Sequence, residues 1–276
     1  QRQMCIRDRL SMELAENPLI GRYAGIVAAS VFGCTIVFTI PVGMGLIEEG
    51  DRPVFAKGIM LGLAAMPAAL ITGGAVCGLG IGEILHQNLP VLVLALLLGI
   101  GLFRIPDGMV KGFEVFAVLI RTVITAGLVL AAVTYMTGFV VIPGMAPIEE
   151  AMAVVSSIGV VLLGSLPVTE FLQRRLKRPC TALGARMGLD SISVLGLLVS
   201  IVSPIPALVM MKDMNTFGKL VNVAYMVSSA SMLAAHLGFT VSTEPDMLPA
   251  LLVSKLAGCA AAIALGFITS KTKKRL

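Results

Sequence analysis

The feature that most limits what this chain can fold into is a succession of apolar runs of about twenty residues, joined by mostly short polar stretches. A bilayer core about 30 Å thick takes a helix of that length. Only 13% of the residues are charged, whereas a soluble domain carries about 25% to solvate its surface. Much of the surface is therefore expected to face something other than water. The runs are rich in Gly, Ala and Pro and show no strand-length alternation, which favours helices over a β-barrel. The expected fold is an all-α, polytopic transmembrane helical bundle.

Eight apolar segments stand out, at about 22–47, 54–82, 90–106, 114–142, 151–172, 191–211, 220–242 and 247–269. Two basic clusters frame the last three: Arg174, Arg175, Lys177 and Arg178, and Lys271, Lys273, Lys274 and Arg275. In so apolar a chain they read as loops and tails retained on the cytoplasmic side, not as a nucleic-acid surface. If every segment crosses, however, the two clusters fall on opposite sides. The conflict disappears if 191–211 is re-entrant or discontinuous, and Pro204 and Pro206 interrupt that segment. The five cysteines form no C-x-x-C pair, so neither a disulfide framework nor a metal site is expected.

Two stretches echo one another. Thr39 to Ile59, TIPVGMGLIEEGDRPVFAKGI, and Ser203 to Val221, SPIPALVMMKDMNTFGKLV, each carry Ile-Pro, a Met-containing stretch, an acidic turn and a Lys beside Gly. Counting segments makes the repeat inverted, because an odd number of crossings separates its copies. Proline-broken segments in corresponding places point to a transporter's binding site. A break frees N–H and C=O groups that cannot face lipid, so they must line a cavity or meet a partner.

Polar groups inside apolar segments are the site candidates. Thr35 and Thr39 share a helical face near Pro41, and their hydroxyls either meet a solute or back-bond to the preceding turn. Ser200 and Ser203 flank the second break near Pro206. Asp213 is either a solvated turn beside Lys212 or an anion receiving a cationic solute. Asn222, Ser228, Ser229, Ser231 and His236 mark the seventh segment; His236 either titrates or bonds a neighbouring helix. Tyr225 offers a cation–π face or packs in the core. His86 reads as a surface loop residue, and Arg121 and Lys255 as side chains that snorkel to the interface. There is no G-x-x-x-x-G-K-[ST] motif, and nothing points to hydrolytic or redox chemistry, so no enzyme activity or cofactor is expected.

The ordered motifs TIVFTIPVGMGLIEEGDRPVFAKGI, RIPDGMVKGF, VIPGMAPIEE, MMKDMNTFGKLVNVAYMVSSA and HLGFT resemble the ethanolamine utilisation transporter family, EutH, over residues 18–268. The resemblance implies a multi-pass carrier of the bacterial inner membrane that imports ethanolamine or a related small amine. Thr35, Thr39, Pro41, Pro206, Lys212, Asp213, Asn222 and His236 match the family pattern. Ser203 and Pro204 stand where the family usually has paired asparagines, and Ala234 and Ala235 where it usually has Gly-Asp. The resemblance further implies N-terminal helices ahead of Asn17. With the irregular leader QRQMCIRDR, this sets residues 1–17 apart as non-native from a transporter domain at 18–276. The alternatives are a carrier for a different small polar solute and a non-transporting membrane subunit.

Overall fold

The structure, a computed structural model, describes residues 39–142, 184–233 and 245–273, with isolated positions between 152 and 182 and at 236 and 240. Regular structure among the described residues is helical throughout. Helices α1 (Ile40–Leu46), α2 (Arg52–Ala64), α3 (Met66–Val76), α4 (Ile81–Gln87), α5 (Leu89–Arg104) and α6 (Pro106–Thr137) precede α7 (Ser191–Ser200), α8 (Pro204–Met210), α9 (Thr216–Ser229) and α10 (Leu248–Lys273). Short 3-10 turns at Glu49–Asp51, Met211–Asp213 and Pro245–Met247 lead into α2, α9 and α10.

Prolines set most of these boundaries. Pro41, Pro53, Pro67, Pro90, Pro106 and Pro204 all occupy the first or second position of a helix. There the missing N–H costs nothing and the fixed φ suits the helix. Pro206 falls in the first turn of α8 and is tolerated for the same reason. Between α4 and α5 the chain bends by 73°, at Asn88, whose side-chain amide donates to Ile84 O (2.8 Å). Helix α6 ends at Gly138, where φ of 71° gives the left-handed cap that glycine adopts freely.

Three helical stretches are long and apolar enough to span a bilayer: Glu49–Val76, Pro106–Thr137 and Pro245–Ser270; the bent pair α4–α5 makes a fourth. The expected count of about eight is not reached among the described residues. Segment 151–172 and most of 22–47 lie largely outside them. Segment 191–211 divides into α7 and α8, and α7 has only ten residues, about 15 Å, half a bilayer core.

Side-chain contacts fix the helix directions. Lys219 Nζ pairs with Asp51 (2.6 Å). A Cβ built at Gly58 would lie 2.6 Å from Val223 Cβ, and one at Gly62 would meet Val227 and lie 2.6 Å from Ala224 O. Residue numbers rise together along both helices, so α2 and α9 run parallel. Helices α7 and α9 are parallel too. The Asp190 carboxylate accepts from the N–H groups of Ser193 (2.6 Å) and Asn215 (2.5 Å), so one side chain caps α7 and anchors the start of α9. Farther along, Asn222 Nδ2 donates to Ser193 O (2.9 Å), and the hydroxyls of Ser200 and Ser229 are 3.1 Å apart. For α7 and α9 to be parallel neighbours, α8 must run back between their ends. Helices α7 and α8 therefore form a re-entrant hairpin whose tip is Ile201–Ser203.

Helix α10 is antiparallel to α9. Gly258 lies against Ser228, Gly266 against Val221, and the rings of Phe217 and Phe267 meet edge to face at 5.0 Å. The starts of α2, α7 and α9 thus share one end of the molecule with the last turn of α10, which holds Lys271 and Lys273. The described chain leading into α7, with Arg186, and the last turn of α10 fall on the same side, as the positive-inside rule requires. Two described stretches at the far end, 72–90 and 245–250, carry Glu83 and Asp246 but no Lys or Arg.

The echo is real in form but not inverted. Each copy is a seven-residue helix opened by proline, a 3-10 turn, and a longer helix with Lys in its first turns. Because α2 and α9 run in the same direction, the repeat is parallel. The count of crossings misled because the re-entrant hairpin consumes a segment without crossing.

Candidate functional site

Two helix ends meet in the interior. Helix α7 stops at Ser200 and α9 at Ser229, and both point their C-terminal carbonyls toward the same junction. A helix leaves its last carbonyls without intrahelical donors, and these must be satisfied when buried. Here the two breaks satisfy each other. Ser231 N–H donates to Ser200 O (3.3 Å) and Leu233 N–H to Ile201 O (3.1 Å). Val199 O accepts from the N–H groups of Val202 and Ser203 (3.0 Å each), and Ser231 O from His236 N–H (3.0 Å). Ser231 is held at φ 55°, a left-handed conformation uncommon outside glycine and asparagine.

The remaining donor comes from α10. Lys255 is buried, with 1% of its surface exposed, and its Nζ donates to Ser228 O (2.9 Å). This corrects the expectation of a snorkelling lysine. Lys255 lies two turns inside the apolar helix, and its ammonium finds its acceptor at the end of α9. A cation there also sits at the negative pole of the α9 dipole. Ser228 offers a second group: its Oγ is buried against Gly258 and makes no hydrogen bond. Between α7 and α9, Ser193 Oγ and Asn222 Oδ1 are likewise buried without a bond. Asn222 Nδ2 is committed to Ser193 O and Gly218 O (3.0 Å), which crosslinks the two helices.

Several expected residues gather at or near this junction. Ser203 is buried in extended backbone and opens α8. His236 is buried just beyond the α9 break. Asn222 is two turns down α9. Tyr225 packs with Val221 and Cys259 in the core between α9 and α10. Pro206 is buried within α8. Thr39 is buried at the start of α1, which also holds Pro41. Helix α1 packs on α8 and the turn that follows it through Ile40, Met44, Ala207, Leu208 and Met211, so the two Ile-Pro elements are neighbours. Asp213 is not with them. It is exposed in the 3-10 turn at the basic end, separated from the break by the length of α8. Thr35 lies outside the described residues. His86 is exposed as expected, although in α4 and not in a loop.

The sequence profile of the family described as "Ethanolamine utilisation protein, EutH" matches residues 8–269. The chain belongs to the EutH family. It is 37% identical over 257 residues to the Listeria monocytogenes protein named "Probable ethanolamine permease EutH", covering 93% of this chain and 69% of the relative. The Escherichia coli protein of the same name is 35% identical over 278 residues, covering 92% and 68%. Bacillus subtilis "Uncharacterized protein YxeR" is 38% identical over 272 residues, covering 97% and 74%. No solved structure matches. The EutH profile spans both Ile-Pro elements, the hairpin, the junction and α10, so every element that builds the candidate site lies within family sequence.

Proposed function

We infer that this membrane protein takes up ethanolamine, or a closely related small amine, across the bacterial inner membrane, with the basic end in the cytoplasm. One observation carries the reading. Two parallel helices direct their C-terminal carbonyls into a single buried junction that also holds the Ser200, Ser228 and Ser229 hydroxyls. Helix C-termini and unwound carbonyls favour cations, and hydroxyls suit an alcohol. The names of the relatives support the same solute. Protonated ethanolamine is a monocation, so an inside-negative potential contributes about 2.3 kcal/mol per 100 mV to its uptake without a coupling ion. The short α7–α8 hairpin and the matching breaks supply elements able to rearrange around the site.

The test is uptake of labelled ethanolamine into vesicles holding the protein, with an imposed inside-negative potential. Accumulation should exceed that of empty vesicles and collapse when Ser200 and Ser229 are both changed to Ala. Uptake no greater than in empty vesicles, at any potential, refutes the reading. A second reading, a carrier for a neutral hydroxylated solute, is favoured by the junction holding Lys255 and no carboxylate among the described residues. In that case glycerol, and not methylammonium, would compete with the transported solute.

A further inference from the structure

We propose that Lys255 is a tethered cation that occupies part of the solute site and must be displaced when an amine binds. The inference rests on the junction being the solute site, and it assigns that site a resident competitor. Two helices end at the junction with their negative poles together, an arrangement that calls for positive charge. Among the described residues, a charge there is the Lys255 ammonium, brought in from α10 on a side chain that is almost wholly enclosed. Its Nζ lies 2.9 Å from Ser228 O, the contact a free primary ammonium would make at the end of α9. The hydroxyl of the same serine is buried beside it with no hydrogen bond. Ser228 therefore presents a filled acceptor and an uncommitted hydroxyl side by side, which suits the ammonium and hydroxyl ends of a small amino alcohol. The arriving ammonium can take the carbonyl only if Lys255 releases it. The lysine thereby sets affinity for cations as a class and keeps the empty junction bonded. It is a positioning and specificity residue, since it acts by holding the place of the solute.

The experiment measures binding of labelled ethanolamine and methylammonium to the purified chain in lipid nanodiscs. K255M removes the charge at similar length, and K255Q keeps a donor without the charge. Both should bind either amine at least tenfold more tightly than wild type, while glycerol binding stays within twofold. K255R should resemble wild type. R121M, which removes a charge from an exposed position on α6, should leave affinity unchanged. Monodisperse K255M and K255Q with equal or weaker amine affinity overturn the proposal. If both aggregate, millimolar methylammonium should restore a monodisperse protein by replacing the missing ammonium, and aggregation that no amine relieves also overturns it. The uptake reading fails separately: vesicles that never accumulate ethanolamine reject the solute, while the methylammonium comparison still decides the role of Lys255.

Discussion

The parallel pairing of α2 and α9 is tested by placing one methyl group in its seam. A Cβ at Gly58 would sit 2.6 Å from Val223 Cβ and 3.2 Å from Leu220 O. Carbon atoms prefer about 3.5–4.0 Å, so Gly58→Ala requires a shift of roughly 1 Å between two tightly packed helices. Overpacking of this kind costs about 1–3 kcal/mol, against a gain of about 1 kcal/mol in helix propensity. Gly99 on α5 has open space around its Cβ position, so Gly99→Ala should show the propensity gain alone. The two variants should therefore differ by about 1–3 kcal/mol. Val223→Ala removes the obstructing side chain, so the pair Gly58→Ala with Val223→Ala should show a favourable coupling of about 1 kcal/mol or more. Stability is read by titrating detergent-solubilised protein with sodium dodecyl sulfate and following loss of helical signal. Equal stabilities for the two glycine variants, together with strict additivity for Gly58→Ala and Val223→Ala, would mean that α2 does not meet α9 in this register. The parallel repeat would fall with it.

Three further outcomes follow from the same contacts. Asp51→Asn should destabilise by about 1.5–3 kcal/mol, since it weakens a charged, mostly buried bond to Lys219; exchanging the two charges in one variant should recover part of the loss in the same titration. Asn222→Ala should cost about 0.5–1.5 kcal/mol because it removes the side-chain bond that ties α9 to α7, and Asn222→Asp should cost more, because it turns an anion toward the two carbonyls that the amide meets; thermal melts in detergent rank the two. In a cysteine-free background, Ile81→Cys should react with a membrane-impermeant maleimide added to intact cells, and Lys212→Cys only after the cells are opened. The reverse pattern would invert the orientation.

Legibility in the sequence followed the range of the force involved. Chain-local effects could be read. Apolar run length marked the stretches that became α2–α3, α6 and α10. The Ser-Pro-Ile-Pro motif marked the hairpin tip, because proline imposes its restriction on its own backbone. The bend at Asn88 was also written locally, in Asn-Leu-Pro, although that stretch read as a loop. Tertiary effects were hidden. The break after α9 falls in SSASMLAAH, which has neither Gly nor Pro. It exists because Ser231 and Leu233 find acceptors on a hairpin thirty residues earlier in the chain. The burial of Lys255 depends on where α9 ends, and the direction of the repeat on a hairpin that does not cross. Asp213 drew attention as a carboxylate near a proline, yet α8 carries it to the surface.

The junction also constrains the kind of molecule able to open it. As described, the ends of α7 and α9 are closed by donors: the N–H groups of Ser231 and Leu233 on Ser200 O and Ile201 O, and the ammonium of Lys255 on Ser228 O. Separating the two breaks frees two of these carbonyls and withdrawal of Lys255 frees the third, and each buried, unsatisfied acceptor costs about 1–3 kcal/mol. A solute that offered only acceptors would leave that cost in place. One that offered a single hydroxyl would offset a third of it. An ammonium bearing a hydroxyethyl arm brings three N–H donors and one O–H, enough to replace all three lost bonds and to engage the uncommitted Ser228 hydroxyl. Donor count, more than net charge alone, thus selects the solute at this junction. Quaternary amines such as choline keep the charge but lose every N–H donor. They should bind the site far more weakly than ethanolamine, and choline binding as tightly as ethanolamine would show that the carbonyls of the two breaks do not hold the solute.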